Sequence, residues 1–365
     1  MIEEYTSLGL MSGTSGDGVD ASIIQSNGNS KYEVIKDKYY EYDSEIYQNI
    51  HNLKEKIHNF NDLKTLTKEL NDLERKITLF HSKVVKEISD DKKIDVIGFH
   101  GQTIYHNSQE KISNQLGDGK LLSQLTKKNI VYNFRENDLK NGGQGAPLVP
   151  IYHKLLQKKL KLKVPVVFIN IGGISNLTYL NKNDEIISFD SGPGNFLIDK
   201  LLQLKSNNKI QFDKDGEIAS KGSVDKNILD SYLSDPYYDS IPPKSLDVND
   251  FNLSAVRGLS VENSIATLSD LTAQTIVNSL NFFKTKPHKI ILCGGGRKNL
   301  FLIDCIKKKN IEINLVDEFK IDGDFIESQA FAYLAIRSTL KKKISYPNTT
   351  GVKESCTGGV LVKNY

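Results

Sequence analysis

Asp190 closes an apolar run, Ile186 to Phe189, and stands directly before the turn SGPGN. A carboxylate held by a rigid strand at a crevice edge can take a proton from a water or hydroxyl as it attacks a neighbouring centre. The same residue also suits an N-cap, here for a helix over Asn195 to Leu202, and taken alone the position allows both. Its company favours chemistry. Gly9 to Ser22 reads GLMSGTSGDGVDAS, in which Leu8, Leu10, Val19, Ala21 and Ile23 recur with period two around a tip of Gly, Ser, Thr and Asp. That pattern predicts a β-hairpin. Gly13, Gly16 and Gly18 let the backbone turn its N–H groups onto an anion, and Ser12, Thr14 and Ser15 add hydroxyl donors. Asp17 and Asp20 can hold a hydrated Mg²⁺. No GK[ST] follows and the chain runs on into a strand, so this is not a Walker loop. An ordinary hairpin turn is the plain alternative.

A second tip, NIGGISN, places Gly172 and Gly173 between two further apolar runs, and a pair of such hairpins can clamp a triphosphate. Gly294, Gly295 and Gly296 follow the strand-like IILC and precede a helix, where flat backbone accommodates a base or ribose; a tight strand-to-helix turn explains them equally. His100, Gln102, Arg135 and Asp138 are expected just past strand ends, and Glu327 opens ESQAFAYLA. Neutral donors, one guanidinium and carboxylates together suit a polyhydroxylated substrate carrying an acidic group. Each alone also reads as a cap or surface residue. No GxSxG elbow points to a hydrolase.

These groups must be positioned by an α/β framework. Leu66, Leu70, Leu73, Ile77, Phe80, Val84 and Ile88 recur at steps of three and four, predicting a long helix packed on a sheet. Strands are predicted at Lys31 to Tyr42, Asp95 to Phe99, Ile130 to Phe134, Ile186 to Phe189 and Lys289 to Cys293. Helices are predicted over Leu268 to Phe283, Asn299 to Lys308 and Ser328 to Leu340, with Asn208 to Ser245 polar and turn-rich. The two glycine hairpins suggest a duplicated fold, and 365 residues suffice for two domains. A net charge of +3, from 48 basic and 45 acidic residues, gives no global field for nucleic acid or membrane. Cys293, Cys305 and Cys356 form no CxxC spacing, and the start MIEEYTSLGLMS lacks a basic, apolar leader, so a reduced, cytoplasmic protein is expected.

The ordered segments GLMSGTSGDGVDAS, GFHGQTIYH, NFRENDLKNGGQGAPLVP, NIGGISNLTYL, FDSGPGNFLID, PPKS, CGGGRKN and ESQAFAYLA resemble the anhydro-N-acetylmuramic acid kinases. The resemblance implies two ribonuclease-H-like lobes of the actin, hexokinase and Hsp70 superfamily with ATP in the cleft between them. It divides the chain into a first lobe over 1–135, joined by residues from about 342 to 365, and a second over 136–341. It implies ATP-dependent hydrolytic opening of the 1,6-anhydro ring and phosphorylation of O6 during peptidoglycan recycling, with Asp190 as the base. Gly13 to Asp20, Val19 included, would form the ATP loop, joined by Gly172, Gly173, Gly294 to Gly296 and Asn299. Mg²⁺ is expected near Asp17 and Asp20 through water. His100, Gln102, Arg135, Asp138, Asn195 and Glu327 would serve the sugar, with Arg135 on its lactyl carboxylate, and a homodimer is the expected assembly. Another kinase of the superfamily, or an ATP-gated sugar sensor without turnover, are the competing readings. Gly16 stands where members usually carry Leu or Met and should loosen the tip; Val248 replaces a usual Arg, and Ser191 a usual Thr.

Overall fold

The computed structural model describes residues 4–90 and 92–364. Its strands are, in chain order, β1 (Tyr5–Ser12), β2 (Gly18–Ser26), β3 (Tyr32–Glu41), β4 (Val96–Asn107), β5 (Ile112–Leu116), β6 (Ile130–Tyr132), β7 (Val166–Ile171), β8 (Ile174–Leu180), β9 (Ile186–Pro193), β10 (Lys289–Cys293), β11 (Asn314–Leu315) and β12 (Val360–Val362). The chain divides into two compact units, Met1–Lys161 with Phe325–Tyr365, and Leu162–Asp324. The sequence reading set these limits at 135 and about 342. The helix Pro150–Lys159 falls in the first unit, where the Tyr152 hydroxyl meets Tyr32 and donates to Gln329 at 2.7 Å.

In the first unit the sheet runs β12-β6-β4-β1-β2-β3, with β5 paired to β4. β1, β4 and β6 are parallel, whereas β2 is antiparallel to both β1 and β3. The predicted long helix is Thr67–Ser89, and its buried Leu70, Leu73, Ile77, Val84, Val85 and Ile88 join Leu8, Leu10, Ile97 and Phe99 in one core. Fully burying each such side chain contributes about 1.5–3 kcal/mol. Alternation turns Gly9 and Gly98 to the other face. There the helix Ile326–Thr339 comes so near that a Cβ on Gly9 would lie 1.9 Å from the Ser328 carbonyl oxygen, and one on Gly98 2.2 Å from that of Phe331. Only glycine permits that approach.

The second unit repeats the plan. Its sheet runs β11-β10-β7-β8-β9, with β7, β10 and β11 parallel and β8 antiparallel to its neighbours. Strands in the order 3-2-1-4-5, the second reversed, therefore occur twice, and this is the ribonuclease-H-like arrangement. A separate apolar cluster gathers the helices Phe196–Ser206, Lys226–Leu233 and Val261–Ser279. The middle one lies inside the segment read as turns, and the last begins seven residues before the apolar run that predicted it.

One strand is longer than expected. β4 does not stop at Phe99 but runs to Asn107, because β5 pairs with Gln102 to Asn107. Gly101, at φ +76°, accommodates the irregularity. His100 and Gln102 are thus inside a strand and not beyond its end. Among the described residues no helix is long and apolar enough to cross a membrane. All three cysteines are buried and unpaired by disulfides.

Candidate active site

The tip between β1 and β2 is a hairpin turn closed by Gly16 N–H on the Gly13 carbonyl at 3.2 Å. Side chains brace it from several directions. Lys54 Nζ donates to the Thr14 carbonyl at 2.7 Å, and Gln102 Nε2 to that of Gly13 at 2.9 Å. Beneath it, Ser12 Oγ lies 2.8 Å from the Tyr42 hydroxyl and 3.5 Å from Nε2 of His81, whose Nδ1–H donates to the Ile77 carbonyl. Gly16 has φ +66°, and a Cβ there would come 2.9 Å from Ile50 Cγ2. Gly16 thus holds a backbone conformation that favours glycine, with little room for a larger side chain in this chain. Thr14, Ser15 and Asp17 are exposed, and Ser15 Oγ donates to Asp17 Oδ1 at 2.6 Å. Val19 is wholly buried in the core, so its side chain faces away from any ligand. Gly18 has Tyr40 and Tyr39 against it. Burial chiefly, then Asp17, Glu41 and Asp20, raises the Tyr39 phenol, which places both loop aspartates around one patch. Among the described residues no three His, Cys, Asp or Glu side chains converge as a metal site. The two aspartates suit a hydrated cation completed by phosphates, as oxygen-ligated Mg²⁺ usually is.

Two sugar candidates of the first unit, Arg135 and His100, meet, and Glu327 is near enough to Arg135 to feel its charge. Arg135 Nη2 donates to His100 Nε2 at 2.9 Å, and Nη1 donates to the Gly145 carbonyl at the same distance. His100 directs Nδ1–H to the Gly101 carbonyl and, buried beside Arg135, is lowered to about 3, so it is a neutral acceptor. Burial raises the partly covered Glu327 carboxyl, against a lowering from Arg135. A guanidinium in this position has the planar donor fork that suits a carboxylate. Asp138 and Gln102 have structural partners. Asp138 is fully buried, with Oδ1 on Gly145 N–H at 2.7 Å and Oδ2 on the Thr350 hydroxyl, so it shapes the loop under Arg135. Gln102 is fully buried under the glycine tip.

In the second unit, Gly172 and Gly173 form the turn between β7 and β8. Their carbonyls accept the N–H groups of Gly194, Asn195 and Phe196 at 2.8–3.1 Å, tying the turn to the start of Phe196–Ser206. A Cβ on Gly194 would lie 2.1 Å from the Gly172 oxygen. Gly294 (φ +77°) abuts Asn170 and Ile171, Gly296 abuts Ile171 and the Asn195 amide, and a Cβ on Gly295 would meet nothing within 4 Å. The two glycine turns and Asn195 thus share one end of β7 and β10. Arg297 fixes that end. Buried, it bonds Asp317 through Nε at 2.6 Å, and Asp324 and the Gly294 carbonyl through Nη1 at 2.6 and 2.9 Å. Burial works against its charge, but these carboxylates outweigh it and its pKa is raised. Asn299 is an N-cap, its Oδ1 accepting Leu302 N–H at 3.0 Å.

Asp190 is 6% exposed in β9, the edge strand of its sheet. Leu246 N–H donates to its Oδ2 at 2.8 Å, and no side chain caps the helix Phe196–Ser206. The N-cap alternative therefore does not apply. Next to it lies a residue that sequence reading passed over. Lys244, 6% exposed, donates to the Tyr237 and Tyr238 carbonyls at 2.8 and 3.1 Å among the rings of Phe189, Tyr237 and Phe282. Burial lowers it to about 8. Its place in PPKS, after Tyr237 and Tyr238, was the available signal.

A twice-used 3-2-1-4-5 sheet, each copy with a glycine turn after its first strand, defines the actin, hexokinase and Hsp70 class of phosphotransferases and ATPases. Within it, the chain belongs to the anhydro-N-acetylmuramic acid kinase family, whose model matches residues 5–364. A relative of that name from Pelagibacter ubique is 54% identical over 375 residues, covering 99% of each chain. Another, from Agrobacterium fabrum, is 38% identical with full coverage of both. A ROK family glucokinase from Streptomyces griseus, solved with glucose and AMPPNP, overlays with a TM-score of 0.43 at 11% identity, covering 90% of this chain and 99% of that one. That overlay is too loose to bear on the site.

Proposed function

We propose that this protein opens the 1,6-anhydro ring of anhydro-N-acetylmuramic acid with water and phosphorylates O6 from ATP, giving N-acetylmuramic acid 6-phosphate and ADP in peptidoglycan recycling. The observation that carries the reading is Asp190, a buried edge-strand carboxylate oriented by Leu246 N–H, in a chain matched to this family from residue 5 to 364. Asp190 takes a proton from water as the water oxygen bonds to the anomeric carbon. The bond from that carbon to O6 breaks, and O6 bonds the γ-phosphoryl group as ADP leaves. Asp190 then returns its proton to solvent. One base serves both bond changes, because the oxygen freed by the first is the nucleophile of the second. Backbone N–H groups of the Gly13 to Asp20 tip take the phosphates, and the Gly172, Gly173 and Gly294 to Gly296 turns take the remainder of the nucleotide. Arg135, held by His100 and Gly145, pairs with the lactyl carboxylate. Glu327 and Asn195 complete the sugar contacts. Mg²⁺, when bound near Asp17 and Asp20, supplies charge neutralisation on the phosphates.

Turnover in ¹⁸O water followed by mass spectrometry tests this. Product with one phosphate and one heavy oxygen at the anomeric carbon is expected; phosphate without heavy oxygen would make the protein an ordinary kinase. Asp190→Asn should lower kcat by about 10³-fold, within the range set by loss of a general base, while retaining ATP binding by calorimetry. A cytoplasmic location and a homodimer belong to the same reading on the family resemblance, and sedimentation velocity tests the dimer.

A further inference from the structure

Among the described residues one edge of β9 has no strand partner, and at Asp190 that edge is covered by the segment from Tyr237 to Leu246. An uncovered strand edge presents main-chain groups that water can solvate and pull out of register. Here all three polar parts of Asp190 are engaged by the segment. Its N–H donates to the Lys244 carbonyl at 3.1 Å, its carbonyl accepts the Tyr237 hydroxyl at 2.6 Å, and its Oδ2 accepts Leu246 N–H at 2.8 Å. The segment has no regular secondary structure of its own to hold this geometry. What ties it together is the Lys244 ammonium, which gathers the Tyr237 and Tyr238 carbonyls, with Nζ 4.5 Å from the ring centre of Tyr237, 4.7 Å from Phe282 and 5.7 Å from Phe189. Phe189 precedes Asp190 in β9, so the cation grips both the strap and the strand. A buried ammonium is costly to desolvate unless carbonyl and aromatic partners compensate it, and here they do.

We propose that Lys244 is a positioning residue for Asp190: by drawing the Tyr237 to Leu246 strap onto the free edge of β9, it fixes the carboxylate in the orientation that the reaction requires. Lys244 itself touches no reacting atom. This inference rests on the reading of Asp190 as the base. Displacing a catalytic group by about 1 Å costs on the order of 10²-fold in rate. Loss of the Leu246 N–H also removes a donor that favours the ionised carboxylate.

The test is steady-state kinetics across pH on Lys244→Met, which keeps an apolar stem among the rings, with Lys244→Arg as the conservative partner and Tyr237→Phe as a milder cut. Lys244→Met should lower kcat by about 10- to 100-fold with KM for ATP and sugar changed less than twofold, and should move the acid limb of the kcat profile to higher pH. Lys244→Arg should recover part of kcat, and Tyr237→Phe should lower kcat several-fold with the same limb displacement. Unchanged kcat and profile in folded Lys244→Met would overturn the proposal, as would equal losses in kcat and in affinity for both substrates. If Lys244→Met does not fold, Tyr237→Phe decides: an unmoved acid limb overturns the proposal. Asp190→Asn run in parallel separates the two levels. Full activity in it removes the base reading, whereas an inactive Asp190→Asn beside a normal Lys244→Met removes only the strap.

Discussion

The two units share one strand order and hold their glycine turns by opposite means. In the first, side chains from distant elements brace the tip: Lys54, Gln102 and the buried Ser12, Tyr42 and His81 group. In the second, the main chain does it, with the Gly172 and Gly173 carbonyls taking three N–H groups at a helix start. Their buried polar groups differ as well. The first unit encloses His81, His100, His106 and His153, all lowered chiefly by burial to about 3 or 4, whereas the second encloses Arg297 and Lys244 as compensated charges. A duplicated fold thus constrains where a loop sits and leaves open what secures it.

The largest consequence concerns acid. A histidine whose folded pKa is depressed contributes stability that is complete above its unfolded value, near 6.5, and is lost as pH falls toward the folded value. Four such groups make the first unit lose stability from about pH 6.5 downward. Glu327, raised by burial, works the other way as one group against these four and His51, which burial also lowers. In the second unit Asp317 and Asp324 are lowered, Asp317 chiefly by Arg297 and Asp324 by Arg297 and Lys298 against its own burial; their contribution fades only as pH falls below about 3.9. Hydrogen exchange at pH 5 should therefore show protection lost first in the first unit. Equal loss in both would break the comparison.

Next in size is the main-chain brace. Gly194→Ala sets a Cβ against the Gly172 oxygen and should destabilise by about 1–3 kcal/mol, as overpacking does, read as a lower thermal midpoint. A midpoint equal to the parent's would mean that this approach is not needed. The smallest effect is on the side-chain brace. Gln102→Ala removes the Nε2 hydrogen bond to Gly13, about 1 kcal/mol, together with a longer one to the Thr103 carbonyl, and should raise KM for ATP several-fold with a smaller fall in thermal midpoint than Gly194→Ala. A result reversed between the two variants would exchange the roles assigned to the braces.

Much of this was legible because it is local. Leucine spacing marks Thr67–Ser89, alternation marks the β1–β2 hairpin, and Asp190 stands out by following an apolar run, although β9 does not end there but continues to Pro193 because β8 pairs with it that far. What escaped depends on partners remote in sequence. β4 reads as ending at Phe99 because the residues after it are polar, and only β5 makes them strand. The bonds of Asp138 to Thr350 and Gly145, and of the Gln102 amide nitrogen to Gly13, join residues that no spacing connects. Lys244 and Arg297 draw no notice in the sequence, since neither the aromatic rings nor the aspartates that enclose them form a recognisable spacing.

Gly9 and Gly98 exist for a helix, Ile326–Thr339, that the ribosome makes only after the whole second unit. The first unit is assembled from two segments that flank the second, Leu162–Asp324, which is contiguous. During synthesis the second unit can finish folding while the first still exposes the glycine-bearing face of its sheet. The earlier-made strands of the first unit therefore wait, with one face uncovered, until Ile326–Thr339 has been made.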